Sequence, residues 1–367
     1  MAASFEALSA RLEKWAQGSN GALRMVALGE TPANSYCWHD ARLRLGRRWA
    51  WDAREGRLWG VVQFTEATQG GPKTTHGGAV ELVMDVASQL VRQRLGIQAH
   101  HASMTVRYMN LTPIDTPLLI EAFESNARVV HPVMELSELE SDGDVAKARR
   151  QTCAATTYTL RHLTKDESEK KKSPPAPPPP AKDLQWPGGP ELEAAIKYAS
   201  EDGNFEPDEI LPRIGEYPKF EFPPDAFGGP KILSRCFKKV ESGLSAISRS
   251  VLLFGENCGP DALESTEVLN KSSVYVALDQ LSGRATRLCI NDGRPVTAEL
   301  TVDFTEADAP KLPALLIAEA RAQKSRSPSG KVIIHTTFSL LRWPDKVQVA
   351  SGHGRFMQIG WDNAPRL

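Results

Sequence analysis

The sequence lacks the marks of several large functional classes. No apolar run approaches the length that spans a bilayer, so no transmembrane segment is expected. Forty-four lysines and arginines face 45 aspartates and glutamates, for a net charge of −1. Without a basic excess, neither nucleic acid nor an anionic membrane surface is an expected partner. Cysteine is scarce and scattered: Cys37, Cys153, Cys236, Cys258 and Cys289, with no CxxC pair. An odd, dispersed set reads as free thiols in a reducing compartment, not as a disulfide frame or a zinc site. The opening "MAASFEALSARLEKWAQ" has no signal-peptide core, and Glu6 and Glu13 count against a mitochondrial transit segment. The expected location is therefore intracellular, cytoplasmic or mitochondrial. Walker, HExxH, GxSxG and dinucleotide-binding motifs are also missing. What is present is an ordinary globular composition, 41% apolar and 24% charged, over 367 residues, which is enough for two or three domains.

One stretch divides the chain. "KDESEKKKSPPAPPPPAKDLQWPGGP", residues 165–190, runs from charge into proline. Consecutive prolines cannot supply ladder hydrogen bonds and favour an extended path, so this is a solvated spacer or a docking segment for a proline-binding partner. The expected organisation is a helical extension at 1–29, a first domain at 30–164, a charged, proline-rich linker and connector at 165–214, and a second domain at 215–367. In the extension, Phe5, Leu8, Leu12 and Trp15 recur at helical spacing.

The two domains repeat one order of elements. In the first, "RRWAWDAREGRLWGVVQFTE" reads as a hairpin, and Gly77 to Leu95 follows with Val80, Val83, Met84, Ala87, Leu90 and Val91 on one helix face. Four strand-like segments come next. In the second, a hairpin pattern, a helical "KSSVYVALDQLSGRA" and four strands recur. Two details fix the alignment. His76 to Asp85 and Asn270 to Asp279 both span nine positions, and Thr105-Val-Arg-Tyr108 matches Thr301-Val-Asp-Phe304. A period this long means two copies of one domain rather than a solenoid.

His76-Gly77-Gly78 with an aspartate nine residues after the histidine, followed by a strand ending in V-x-Y, resembles the hotdog-fold thioesterases of the phenylacetate-pathway and THEM type. The tandem arrangement is similar to double-hotdog acyl-CoA thioesterases. The resemblance covers about 65–163 and, more weakly, 268–360. It implies an α+β fold of two tandem hotdog domains, each a curved antiparallel sheet wrapped around a long central helix, pairing as an intramolecular pseudo-dimer. It also implies hydrolysis of an acyl-CoA or other acyl thioester. The glycines leave helix-start N–H groups bare to stabilise an oxyanion, and an aspartate acts as nucleophile or general base. Coenzyme A enters only as part of the substrate, and no metal or other cofactor is implied.

In family dimers one subunit gives the glycine-rich helix start, and the partner gives the acid and a Ser/Thr. Here the second half has lost the glycines, with Asn270-Lys271-Ser272 in their place, but keeps Asp279 and carries Thr297 seven residues before Phe304. The first half has His101, not Ser or Thr, seven residues before Tyr108. The expected site is composite: His76, Gly77 and Gly78 with Asp279 and Thr297. Asp85, opposite Asn270-Lys271-Ser272, is expected to be quenched by Lys271. One departure counts against activity. Many relatives have Asn or Gln about six residues before the histidine, whereas Gly70 and Gly71 stand here, with Gln69 and Gln358 as substitutes. Arg149 and Arg150 could meet coenzyme A phosphates or form a solvated edge. The competing reading is an inactive pseudo-thioesterase in a larger complex; acyl-CoA binding without turnover is a third. Homo-oligomers of the double unit are also possible partners.

Overall fold

The computed structural model describes residues 4–27, 46–71, 73–126, 128–138, 149–162, 189–201, 205–208, 232–254, 271–290, 293–305, 310 and 314–360. The chain divides into two compact units, Met1–Pro174 and Pro175–Leu367. Of the linker and connector read at 165–214, residues 165–188, 202–204 and 209–214 lie outside the described residues.

The first unit opens with helix α1 (Phe5–Gly18) and strands β1 (Leu23–Met25), β2 (Gly46–Asp52) and β3 (Arg57–Gln63). A small hairpin of β4 (Gln69–Gly71) and β5 (Thr74–Thr75) leads into α2 (Gly77–Arg94). Strands β6 (Ala99–Tyr108), β7 (Pro117–Asn126), β8 (Val129–Glu138) and β9 (Arg149–His162) complete it. The main sheet is antiparallel, in the order β1-β2-β3-β7-β8-β9-β6.

Its helices have local causes. Ser4 caps α1, its hydroxyl accepting from the Ala7 N–H at 3.2 Å, and Leu8, Leu12 and Ala16 recur on one face. That face packs on Leu23, Ala50, Trp59, Val61 and Leu119. In α2 the last turn carries Arg92 and Arg94, which suit the negative end of the helix dipole. The helix stops at Gly96, whose φ of +67° favours glycine, and the Ile97 N–H turns back to the Arg92 carbonyl at 2.8 Å. Helix α2 lies against β3, β6, β7, β8 and β9. Along β3, Trp59 and Val61 serve α1, while Leu58 and Val62 alternate with them on the other face.

The second unit has α3 (Pro190–Ser200), β10 (Glu206–Pro207), β11 (Ile232–Ser242), β12 (Ser245–Phe254), α4 (Lys271–Arg287), β13 (Arg294–Phe304), β14 (Ala314–Arg326), β15 (Val332–Arg342) and β16 (Gln348–Ile359). Its strand order is β13-β16-β15-β14-β12-β11-β10. Read from the other end, this is the order of the first unit. Helix α4 lies against β12 to β16, the counterparts of the strands that meet α2. Helix α3 falls within the stretch read from sequence as connector, yet it folds onto the sheet. Leu192, Ala195 and Ala199 pack on Phe237, Val251, Leu253, Leu315 and Ile317, as α1 packs in the first unit. The repeat therefore begins one helix earlier in each copy than the strands alone suggest.

The two units carry a β-bulge at equivalent places. Pairing of β6 with β9 shifts between His101 and Ser103, and pairing of β13 with β16 shifts between Thr297 and Glu299. The bulge turns His101 to the same face as Met104 and Val106, although its odd separation from them would otherwise put it on the opposite one. Thr297 gains its inward direction from the equivalent bulge.

Candidate active site

In the first unit His76 is the N-cap of α2, with extended backbone at φ −63° and ψ 138°. Its Nδ1 accepts from the Gly78 N–H at 3.0 Å, and its carbonyl accepts from the Ala79 and Val80 N–H groups at 3.0 and 3.2 Å. The Gly77 N–H has no hydrogen-bond partner among the described residues. Of the two glycine amides anticipated as bare, Gly78 is thus occupied by the histidine of the same motif, and Gly77 is the one left. The cap is held from behind. The His76 N–H donates to the Thr68 carbonyl at 2.8 Å, and the Thr75 N–H donates to the Thr112 carbonyl at 2.7 Å. Gly70 lies directly beneath the histidine. A Cβ there would come within 2.7 Å of the His76 Cα and 2.9 Å of its Cβ. Tyr108 reaches the same turn, its hydroxyl donating to the Gly77 carbonyl at 2.8 Å.

Asp85 is 6% exposed, on an α2 face that also presents Glu81, Ser88 and Gln89. The Gln89 amide donates to Asp85 Oδ2 at 2.8 Å, and His101 Nδ1 lies 3.4 Å from Asp85 Oδ1. His101 Nε2 is 3.4 Å from the Ser88 hydroxyl, and its ring stacks on Tyr158 with centroids 4.5 Å apart. Glu81 is fully buried, with the Tyr158 hydroxyl 3.5 Å from its Oε1. Burial, then the Glu81 and Asp85 carboxylates and the Tyr108 phenol, hold the Tyr158 phenol well above its ordinary pKa. Sequence reading missed that the partner of His101 is the helix aspartate. The spacing signal was present, since His101 stands where Thr297 stands in the other copy.

In the second unit Asp279 is 5% exposed, and the Thr297 hydroxyl donates to its Oδ1 at 3.0 Å. The expected pair is thus brought together. Phe356 opposes Thr297 on β16, and Gln358, two residues on and so on the same face, opposes Pro295. Lys271 begins α4, and its ammonium sits 5.1 Å over the Phe304 ring, the position that Tyr108 holds in the first unit. Asn270 lies outside the described residues, as do the side chains of Ser272, Arg149 and Arg150. Trp59 and Met104 are both buried, and Trp59 packs edge-on against Trp15 under α1. Among the described residues no group of three or more His, Cys, Asp or Glu could hold a metal ion, and no helix is long and apolar enough to cross a membrane.

No family model matches this chain, and no curated protein matches it. Solved structures do. A hotdog-fold protein of unknown function from Alicyclobacillus acidocaldarius is 13% identical, with 89% of this chain and 97% of that one covered and a TM-score of 0.46. A tesB protein of Mycobacterium avium subspecies paratuberculosis is 11% identical, covering 83% and 93%, with a TM-score of 0.44. The 12:0-ACP thioesterase of Umbellularia californica is 8% identical, covering 83% and 95%, with a TM-score of 0.43. The structures this chain resembles are thus hotdog-fold proteins, thioesterases among them. Within the chain itself, the antiparallel sheet of the first unit packs against α2 and that of the second against α4.

Proposed function

We propose that this protein is a tandem double-hotdog enzyme that hydrolyses acyl thioesters, with acyl-CoA as the substrate class. Asp279 is the base and the Gly77 N–H is the oxyanion donor. The observation that carries the reading is the Thr297–Asp279 hydrogen bond. A hydroxyl donor orients a carboxylate without neutralising it, so a buried aspartate so held can take a proton from water. The resulting hydroxide attacks the thioester carbonyl carbon. The oxyanion forms against the amide at the positive end of α2, and the carbon–sulfur bond breaks with departure of the thiolate. Gln358, on the face of β16 that Thr297 addresses, is a second polar group for the attacking water.

What supports drawing the acid and the amide from different halves is their complementary loss. The first half keeps the glycines and ties its own aspartate to an imidazole; the second keeps a hydroxyl-held aspartate and has a lysine where a glycine should be. The test is thiol release from an acyl-CoA panel of graded chain length. Asp279→Asn should lower kcat by about 100-fold or more, the scale of a lost general base. Asp85→Asn should stay within about threefold of the unaltered enzyme, since nothing in the reaction is assigned to it. Equal rates for the two variants would sink the assignment.

One observation favours the competing reading of an inactive assembly subunit. Gly70 presses on His76 and leaves no room, without movement, for the polar side chain that relatives carry there. Absence of thiol release across the whole panel would select that reading.

A further inference from the structure

We infer that Tyr108 is a positioning residue whose hydroxyl, with the His76 imidazole, locks the Gly77–Gly78 peptide and so aims the Gly77 N–H. This rests on the thioesterase reading for its consequence, though not for its geometry.

The Gly77 carbonyl and the Gly78 N–H belong to one planar peptide unit. The Tyr108 hydroxyl donates to the oxygen of that unit at 2.8 Å, and its N–H donates to His76 Nδ1 at 3.0 Å. The plane is therefore held at both ends by side chains. Two successive glycines would otherwise be the least restrained pair of residues in the helix. The preceding peptide is aimed by the helix. The His76 carbonyl points along α2 toward the Ala79 and Val80 N–H groups, so in a trans peptide the Gly77 N–H points the other way, out of the helix start. With both planes fixed, the one amide left over has a set direction, and an oxyanion donor has to be preorganised to be effective.

The second unit supplies a control within the chain. Phe304 occupies the place of Tyr108 in an equivalent strand, after an equivalent bulge, and is buried. The fold therefore does not need a hydroxyl at this position. The hydroxyl is missing in the half whose helix starts with Lys271 instead of glycine, and there the ring faces an ammonium. Glycine and hydroxyl stand together in one half and are both absent from the other, as a clamp on a glycine carbonyl requires. Simple core filling would retain an aromatic ring in both copies and place no hydroxyl on the Gly77 carbonyl.

The experiment pairs kinetics with amide exchange on glycine-labelled full-length protein. In unaltered protein the Gly78 amide should exchange slowly and the Gly77 amide fast. Tyr108→Phe should speed Gly78 exchange while leaving a cooperative thermal transition. It should lower kcat for acyl-CoA about tenfold, as expected for a donor displaced by a fraction of an ångström, with KM little changed. Phe304→Tyr should leave kcat where it was. An active enzyme whose kcat is untouched by Tyr108→Phe overturns the positioning role. If the unaltered protein releases no thiol from any acyl-CoA, the thioesterase reading fails instead. Exchange then decides the clamp alone, and Gly78 exchange indifferent to Tyr108→Phe overturns it.

Discussion

The inner faces of α2 and α4 are built on one backbone plan and carry opposite solutions to the same problem. Both helices bury an aspartate at the same turn, Asp85 at 6% and Asp279 at 5% exposure, opposite a strand with a bulge at the same place. In the first unit the strand supplies His101, which can carry a positive charge and stands 3.4 Å from the carboxylate. In the second it supplies Thr297, whose hydroxyl carries no charge and donates to Asp279 at 3.0 Å. An imidazole can hold a buried aspartate by a hydrogen bond or, when protonated, by charge; a hydroxyl can offer only the hydrogen bond. The exchange extends to neighbours. Glu81 and Tyr158 of the first unit correspond to Tyr275 and Gly354 of the second, since Met104 opposes Tyr158 as Leu300 opposes Gly354. The two units thus share their packing positions and differ in polar chemistry, the first setting an imidazole against its aspartate and the second a hydroxyl.

His101 offers the largest lever on stability. Removing the imidazole in His101→Ala leaves Asp85 buried without it and opens a cavity beside Tyr158. The first unit should lose about 3 kcal/mol, the upper end of the usual cost of taking one hydrogen-bond partner from a buried polar group. His101→Thr copies the second unit and should recover part of that loss, because a hydroxyl can again donate to Asp85. Chemical denaturation of the three proteins checks this. Equal midpoints for His101→Ala and the unaltered chain would break the comparison, since the histidine would then be doing nothing for the aspartate.

A smaller effect is expected at Gly70. Gly70→Ala places a Cβ against the His76 backbone, where something has to move. A loss of about 1–2 kcal/mol is expected for forcing an extra carbon into a packed site, together with a fall in kcat as the cap shifts. Gly283, where a Cβ meets nothing within 4 Å, is the control. As a half-buried helix position with open space beside it, Gly283→Ala should be neutral or stabilising by up to about 1 kcal/mol. If both substitutions behave alike, the helix start of the first unit has slack that its geometry denies.

Much of this arrangement was legible in the sequence, and the reasons differ by element. Helix starts at Gly77 and Lys271 follow from apolar spacing, and the hairpins from alternation and turn residues, because those signals are local. Helix α3 was legible as well: Pro190 at its first position and Leu192, Ala195 and Ala199 at helical spacing are a local signature. It was masked by its place beside a proline tract, which drew the whole stretch into a connector. The Thr297–Asp279 pair could be anticipated from aligned copies. The roles of His101 and of the Tyr108 hydroxyl could not. Each depends on which group of α2 lies against the strand, and for His101 on a bulge that reverses the face an alternating strand would assign. A one-residue register detail of that kind has no local signature.

The smallest expected effect separates the units by pH. Tyr158 is buried against Glu81 and Asp85, and these surroundings, burial first, hold its phenol protonated well beyond the ordinary value of 10.0. An unfolded chain has no such environment, so its tyrosine ionises near that ordinary value. The sign follows from linkage: below the unfolded value both states are protonated and nothing is lost. As pH climbs past it, the unfolded chain gains by ionising while the folded unit cannot follow, and stability falls until the folded value is reached. Tyr158→Phe removes the difference. Between about pH 8 and about pH 11 the variant should lose less stability than the unaltered protein, once the other titrations common to both are subtracted. Gly354 occupies the corresponding place in the second unit, so the protection should appear only in the unfolding step of the first. Parallel pH curves for the two proteins would show that the buried carboxylates and the phenol do not share the surroundings described.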